Sequence, residues 1–317
     1  TGITKTTVML DMLFDAAYRN CEVMLVRMLH SVPQSERLRL VKEKDEIDRT
    51  LLHYAADSGS VEAVMTILNL YPESERLGAV CLKDQNGRNA FHCAACSGNH
   101  DLIKWLLSSL PELQQLQHVN MMDMNGMTVL HHAVCSGNTQ SIDVIWALYP
   151  EADRLGALLK QNHHGRTTLH CAALCGKHES LRHILNLLPG SQRLLAAEMK
   201  TRNRETVLHD AARSNNSECI RTILALYPES ERSRAVCLQD IEGRNVLHYV
   251  ACAHNLACIK VILSHFPESE RQQLLCIQDG DRKNVLHCAT GSRNYRDESE
   301  SIVDGVLSLL PESQRLQ

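Results

Sequence analysis

The histidines are the residues of this chain whose type and regular spacing could indicate a catalytic site. Seven histidines follow one another at intervals of 39 residues: His53, His92, His131, His170, His209, His248 and His287. Three of them directly precede a cysteine: His92–Cys93, His170–Cys171 and His287–Cys288. A thiol beside an imidazole can form a nucleophile with its base, but adjacent residues of a helix do not face each other, and no third group recurs to orient a base. Seven copies at one period indicate a structural role, and we predict that the chain is not an enzyme.

A denser group of possible metal ligands occupies two neighbouring copies of this pattern. Its members are His131, His132, Cys135, His163, His164, Cys171 and Cys175. Such side chains bind zinc in many proteins, but the paired CxxC spacing of a zinc site is missing. Tyr54 and Tyr249 fill the place of Cys171 in other copies, so that position needs no metal. We predict no bound metal or cofactor and keep zinc as the weaker alternative, which metal analysis of protein purified without chelator would decide.

The composition excludes several classes of protein. The 317 residues carry a formal net charge of −4, without the basic excess typical of a nucleic-acid binder. Hydrophobic residues make up 44% and aromatic residues 4%, which predicts an aliphatic core. No apolar run approaches the roughly 20 residues that cross a bilayer.

The cysteine content indicates the compartment. Thirteen cysteines, an odd number, without a secretory signal favour a reducing compartment, the cytoplasm. The missing initiator Met predicts a fragment or a processed chain.

The elements that carry the histidines follow from the other recurring residues. Asp84 and Gly87 suit a tight turn, and a Thr or Asn such as Thr50 then opens a short helix as its N-cap. A second helix, such as 61–70, shows apolar residues at helical spacing and ends at a recurring proline. The segment PESERLGAVCLKD after Pro72 places proline and acids in a first turn. We therefore predict a short third helix in each copy and an all-α fold.

The histidine segments resemble the ankyrin repeat family. The signature T-P-L-H-x-A stands here as TLLHYA from Thr50, TVLHHA from Thr128 and TVLHDA from Thr206. The signature proline is missing, and the period is 39 residues rather than 33. The resemblance implies a single array, an ankyrin-type solenoid of eight repeats with first and last repeats as caps. The predicted repeats are 6–44, 45–83, 84–122, 123–161, 162–200, 201–239, 240–278 and 279–317.

The resemblance also implies a function. Ankyrin arrays bind a partner protein or peptide along a concave face, so we expect an interaction module with no nucleic-acid partner and no membrane insertion. The PESERL-type segment resembles ankyrin proteins that intracellular bacteria deliver into host cells, which would place the protein in the host cytosol. The alternative function is a substrate-recruiting domain of an enzyme whose catalytic domain lies outside this chain, and a purely structural spacer is a further one.

Columns that vary between repeats are the candidates for partner contact. Methionine and isoleucine at turn tips do not suit a buried core, and beside arginines they are typical of an interface centre. The predicted partner-binding residues are Arg49, Arg88, Met124, Met127, His163, His164, Arg166, Glu205, Ile241 and Arg244. The insertion 292–301 in the last repeat is a second candidate. Seven arginines that follow the recurring proline by four residues, such as Arg76, are interpreted as partners of nearby glutamates such as Glu73 rather than as a cationic surface.

Overall fold

The computed structural model describes residues 5–290 and 303–310 of the chain. The chain divides into two compact units, Thr1–Ala157 and Leu158–Gln317. Within the described residues the regular elements are helices, and the only β-type pairing is one isolated bridge between Met122 and Thr128. The predicted insertion 292–301 and the arginine at 315 lie outside the described residues.

The first unit repeats a three-helix pattern. Its helices in order are α1 (Lys5–Tyr18), α2 (Glu22–Ser31), α3 (Gln34–Lys42), α4 (Leu51–Asp57), α5 (Val61–Asn69), α6 (Glu73–Cys81), α7 (Ala90–Ser97), α8 (His100–Ser108), α9 (Glu112–Val119), α10 (Val129–Ser136) and α11 (Thr139–Trp146), and α12 (Glu151–Leu159) contains the boundary of the unit. The first helices of successive repeats pack side by side, α1 on α4, α4 on α7 and α7 on α10.

The second unit continues the same pattern. Its helices are α13 (Thr168–Leu174), α14 (His178–Leu187), α15 (Gly190–Glu198), α16 (Val207–Arg213), α17 (Ser217–Leu224), α18 (Glu229–Cys237), α19 (Val246–Cys252), α20 (Leu256–Leu263), α21 (Glu268–Leu275) and α22 (Val285–Thr290), and residues 303–307 are also helical. The first helices again pack in order, α13 on α16, α16 on α19 and α19 on α22. The predicted all-α fold is confirmed for the described residues, as is the extra helix after the recurring prolines from Pro33 to Pro267.

The recurring histidines join each repeat to the next, as their periodicity predicts. His53 is the third residue of α4, and its Nδ1 accepts the backbone N–H of the N-cap Thr50 at 3.1 Å. The remaining proton is therefore on Nε2, which lies 3.0 Å from the carbonyl of Leu82 at the end of the same repeat and 3.2 Å from that of Arg88 in the following repeat. Nε2 of His92 and Nε2 of His209 make the first of these contacts, with Met121 and Leu238 at 3.0–3.1 Å, and Nε2 of His248 makes the second, with Lys283 at 3.0 Å.

The recurring arginines have a different role from the predicted one. Arg76 does not pair with Glu73 but donates from Nε to the carbonyl of Tyr71, which lies just after the second helix, at 3.3 Å. Arg37, Arg154, Arg193 and Arg271 make the same bond to the residue five positions earlier. Carbonyls at a helix C-terminus lack intrahelical donors, and a cationic donor satisfies them well. The arginine column therefore caps the second helix. The predicted Arg–Glu pairing is wrong at Arg76 but is present at Arg271, whose Nη1 lies 4.0 Å from Glu268 Oε1.

Glycine at the turn is required by both backbone and space, and this gives a first testable prediction. Gly87 has φ of +74°, and a Cβ there would lie 2.8 Å from the backbone nitrogen of Met124 in the next repeat. We expect Gly87→Ala to lower the free energy of unfolding by about 2 kcal/mol. The matched control is Gly78→Ala in α6, where nothing lies within 4 Å of the new methyl group, and a gain of about 0.5 kcal/mol is expected. Chemical denaturation measures both, and equal effects would contradict this role of the turn.

Candidate partner-binding site

Six of the predicted repeats begin with a turn that their first residue holds closed. In the third repeat Asp84 Oδ1 accepts the backbone N–H groups of Asn86 at 2.9 Å and Arg88 at 2.8 Å. The corresponding side chains of Asp45, Asp123, Asn162, Asp240 and Asp279 make the same pair of bonds. An acceptor that binds two N–H groups of its own turn fixes the loop. The turn tips are therefore rigid platforms for the side chains they carry.

Backbone hydrogen bonds also link one turn tip to the next, and we call the linked turns of each unit its tip row. In the first unit Gln85 N–H donates to the carbonyl of Ile47 at 3.0 Å, and Met124 N–H donates to that of Asn86 at 2.8 Å. In the second unit the donors Arg202, Ile241 and Gly280 bind the carbonyls of His164, Asn203 and Glu242 at 2.8–3.0 Å. This link was not predicted from the sequence, although the shared period of aspartate and glycine is its signal.

The apolar residues predicted at turn tips are on the surface. Met124, in the tip row of the first unit, has 67% of its area exposed, and Ile241, in the tip row of the second, has 58%. His163 and His164 are exposed as well, and Met127 is half-buried. Met124 and Ile241 are therefore not part of the hydrophobic core, and their contact with a partner stays a prediction.

The predicted arginines of the first unit make contacts within the chain. Arg49 is buried, donates to Asp57 Oδ2 at 2.5 Å and lies 4.3 Å above the ring of Tyr54. Arg88 is half-buried and binds Asp84 Oδ2 at 2.9 Å. Arg88 therefore braces its own turn, whereas Arg49 binds the end of α4. Partner binding by these two residues stays a prediction.

The structure brings two predicted residues of the second unit, Arg166 and Glu205, into one charged network. Arg166 donates to both carboxylate oxygens of Asp210 at 3.1 Å and to Glu205 Oε2 at 3.0 Å. Glu205 also binds Arg213 and, at 3.0 Å, the hydroxyl of Tyr249. We call Arg166, Glu205, Asp210, Arg213 and Tyr249 the buried network. From the sequence, Arg166 and Glu205 were predicted only as surface residues, and the other members were missed.

Arg244 lies at the edge of this network and completes it on the solvent side. Its guanidinium binds Asp240 at 3.4 Å, Glu242 at 2.8 Å and the Tyr249 hydroxyl at 3.2 Å. The Tyr249 hydroxyl also lies 2.5 Å from Asp240 Oδ2, so its single proton is shared between Asp240 and Glu205. Arg244 therefore has both a structural role and access to solvent, and its contact with a partner stays a prediction.

Burial sets the electrostatics of the network. Glu205 and Asp210 have almost no exposed surface. Burial raises the pKa of Asp210 to about 6 despite its bonds with Arg166. Burial also acts to raise the pKa of Glu205, but Arg213 and the Tyr249 hydroxyl outweigh it and lower that pKa below its ordinary value. The two carboxylates therefore depend on their arginines to stay ionised.

The His92–Cys93 pair does not form a nucleophilic site. Cys93 is fully buried, and burial raises its pKa to about 12, so its thiol is unreactive at neutral pH. Burial also lowers the pKa of the neighbouring His92 to about 4. Across residues 5–290 and 303–310 the structure brings no group of three or more His, Cys, Asp or Glu side chains together for a metal ion. No helix in those residues is long and apolar enough to span a bilayer.

The fold and the linked turns define a helical-repeat protein whose variable residues stand on a periodic scaffold. The chain belongs to the ankyrin repeat family: the family model described as ankyrin repeats (3 copies) matches residues 13–115, 109–192, 154–234 and 208–304. It is similar to the crystal structure of the human ASB11 ankyrin repeat domain, with a TM-score of 0.57 and 20% identity over 83% of this chain and 99% of that one. No curated protein sequence matches significantly.

Proposed function

We propose that the chain binds a partner protein or an extended peptide along its turn tips and first helices. In ankyrin arrays these elements form the concave face. The observation that carries this proposal is the exposure of Met124 and Ile241 on turns that are held rigid by hydrogen bonds. Exposed apolar side chains that the fold does not require are typical of a binding surface. On a rigid platform they lose little conformational freedom when they bind, which favours affinity.

The surroundings of Ile241 indicate the chemistry of the bound segment. A cavity of about 650 Å³ opens beside this side chain, and its wall includes Arg204, Glu242, Asp279 and Asp281. With Asp240 the wall carries four acids and one arginine, and because Arg244 pairs with Asp240 and Glu242 and Lys283 pairs with Asp281, one negative charge is left around the apolar centre. We propose that the segment bound at the second unit carries an apolar side chain flanked by a lysine or an arginine, because that arrangement complements both the apolar centre and the charge.

The proposal predicts that a charge at either apolar tip abolishes partner capture. Affinity purification of the full chain from cell lysate, followed by quantitative mass spectrometry, compares the wild-type with Met124→Glu and Ile241→Glu. Because a buried anchor at an interface centre contributes about 2 kcal/mol or more, we expect recovery of the partner to fall by roughly tenfold or more. Each variant tests the tip row of its own unit.

Two exposed leucines on third helices supply matched controls. Leu113 in α9 is 96% exposed, and Leu195 in α15 is 65% exposed. Leu113→Glu and Leu195→Glu introduce the same charge at a comparable apolar surface position, away from the turns. Capture should be unchanged in these variants. Loss of the partner in the controls, or its retention in Met124→Glu and Ile241→Glu, would show that the tip rows are not the binding site.

Two finer proposals concern where the interaction takes place. All thirteen cysteines are free thiols, which supports a reducing compartment such as the cytoplasm. The PESERL-type third helix supports the proposal that the chain is part of an effector that a bacterium delivers into the host cytosol. A fusion to a translocation reporter in an intracellular bacterium tests it, and a signal confined to the bacterium would reject the effector role. A substrate-recruiting role for an enzyme outside this chain would use the same tip rows.

A further inference from the structure

Two cysteines meet where the first helices of the seventh and eighth predicted repeats pack together. Cys252 is the last residue of α19, Cys288 is the fourth residue of α22, and α19 packs on α22. The corresponding positions one repeat earlier hold Arg213 and Tyr249, whose guanidinium nitrogen and hydroxyl lie 3.1 Å apart. At the later contact the Cys288 thiol donates a hydrogen bond to the Cys252 sulfur. The packing of the repeats therefore holds the two sulfur atoms side by side.

The hydrogen bond makes the two thiols unequal. Donation from Cys288 stabilises the Cys252 thiolate and outweighs the opposing effect of burial, so the pKa of Cys252 is lowered to about 7. The positive charges of Arg244 and Lys283 act in the same direction, and the negative charge of Asp279 acts against them. The same hydrogen bond, together with burial, raises the pKa of Cys288. At neutral pH roughly half of the Cys252 side chains are therefore thiolates, while Cys288 keeps its proton.

Exposure gives the two thiols different roles. Cys252 is exposed to solvent, whereas only 8% of the area of Cys288 is accessible. A dissolved oxidant therefore reaches Cys252, and Cys288 is placed to react with the product. An accessible thiolate of low pKa beside a second thiol is typical of a redox-sensing cysteine and its resolving partner. Disulfides that form in a reducing compartment are usually of this transient kind.

We propose that Cys252 and Cys288 are a peroxide-responsive pair that forms a disulfide between α19 and α22. The Cys252 thiolate attacks one oxygen of hydrogen peroxide, the O–O bond breaks, and Cys252 becomes a sulfenic acid. The departing hydroxide takes up the proton that Cys252 lost on ionisation. The Cys288 sulfur then bonds to the Cys252 sulfur, the S–O bond breaks, and the second hydroxide takes up the Cys288 proton. Two thiols lose two electrons in total, and one peroxide is reduced to two waters.

The experiment treats the full chain, reduced and then freed of reductant, with hydrogen peroxide at pH 7 and low protein concentration. N-ethylmaleimide blocks the remaining thiols at each time point, and mass spectrometry of unreduced peptides identifies the products. We expect a Cys252–Cys288 disulfide as the main product, with Cys252 consumed roughly tenfold faster than the exposed Cys276. Dithiothreitol should restore both thiols. A Cys252 rate no higher than that of Cys276, or absence of the Cys252–Cys288 link, would overturn the proposal.

Two serine variants separate the attacking thiol from the resolving one. Cys288→Ser removes the resolving sulfur but retains a hydroxyl that can donate to Cys252, so oxidation should stop at the sulfenic acid, which dimedone labels. Cys252→Ser should leave Cys288 reduced, because Cys288 is buried and protonated. Circular dichroism verifies that both variants are folded. Equal dimedone labelling of Cys252 in the wild-type and in Cys288→Ser, or rapid oxidation of Cys288 in Cys252→Ser, would contradict the assigned roles.

A buried pair of cysteines in the same unit is the matched control. Cys219 lies in α17 and Cys258 in α20, these two helices pack on each other, and neither cysteine has exposed surface. Burial raises the pKa of both thiols. Both should therefore stay reduced while the chain is folded. A Cys219–Cys258 disulfide that forms as fast as the Cys252–Cys288 disulfide would show that oxidation follows unfolding, and the proposal would then be rejected.

Discussion

Acidification from pH 7.5 to pH 5 is expected to destabilise each unit, by about 2 kcal/mol for every histidine whose pKa drops from about 6.5 to about 4 on folding. His92 in the first unit and His170 in the second have folded-state pKa values near 4, because burial disfavours the imidazolium. Burial lowers the pKa of His53, His209 and His248 in the same direction. The contacts that join the repeats thus need neutral imidazoles.

The sign follows from proton binding. Between pH 6.5 and pH 4 the unfolded chain binds protons at these histidines and the folded chain does not, so stability is present above that window and lost as the pH falls through it. His132 opposes part of the loss in the first unit, because its pKa of about 9 lets it gain about 1 kcal/mol between pH 7.5 and pH 6.5, below which its contribution is complete. Asp210, with a pKa of about 6, regains about 1 kcal/mol at pH 5 in the second unit. The two offsets are similar, so both units should lose stability between pH 7.5 and pH 5, and His53, His209 and His248 add to the loss.

Denaturation followed by two probes measures this loss. Trp105 and Trp146 both lie in the first unit, so tryptophan fluorescence reports on it, whereas far-ultraviolet circular dichroism reports on both units. His92→Gln supplies the control, because glutamine at the third helical position can still bind the N-cap backbone N–H but does not titrate. This variant should show a weaker pH dependence of the fluorescence transition. An unfolding midpoint that is constant from pH 7.5 to pH 5 would contradict the role assigned to the histidines.

Features that repeat in every copy were predictable from the sequence. The histidine contacts, the N-cap threonines and the third helix after the proline each depend on residues within one repeat and on the same residues one period later. A period alone is enough to recognise them, because a side chain that recurs at one interval must satisfy the same local need each time. The all-α ankyrin fold followed from these columns.

Contacts between different columns of neighbouring repeats were not predictable in the same way. Cys96 meets His132 and Arg213 meets Tyr249, and both pairs are 36 residues apart rather than 39. These pairs join a late position of one first helix to an earlier position of the next, so they follow from the packing of the helices and not from the repeat. A search for complementary residues at a spacing of 36 would have found them.

The exposure of Met124 and Ile241 was predictable, because a turn tip offers no core to bury them.

Removing the guanidinium of Arg166 is expected to cost about 3 kcal/mol of the free energy of unfolding, because it leaves buried carboxylates with too little positive charge. Arg166 is the bidentate partner of Asp210, which has no exposed surface, and it also binds Glu205. Arg213 keeps its contact with Glu205 but reaches Asp210 only at 3.7 Å. Arg166→Met retains much of the aliphatic volume, so chemical denaturation of this variant measures the charge rather than a cavity.

A matched arginine in the same unit distinguishes this effect from the loss of any surface ion pair. Arg244 also binds two carboxylates, but 31% of its side chain is exposed, and exposed pairs contribute about 1 kcal/mol or less. Arg244→Met should therefore cost far less. The cost of Arg166→Met should shrink at pH 5, where Asp210 takes up a proton, and adding Asp210→Asn to the variant should restore part of the stability. Equal costs for the two arginines, or a cost independent of pH, would mean that Arg166 is a surface residue free to bind a partner and not the counter-ion of the buried network.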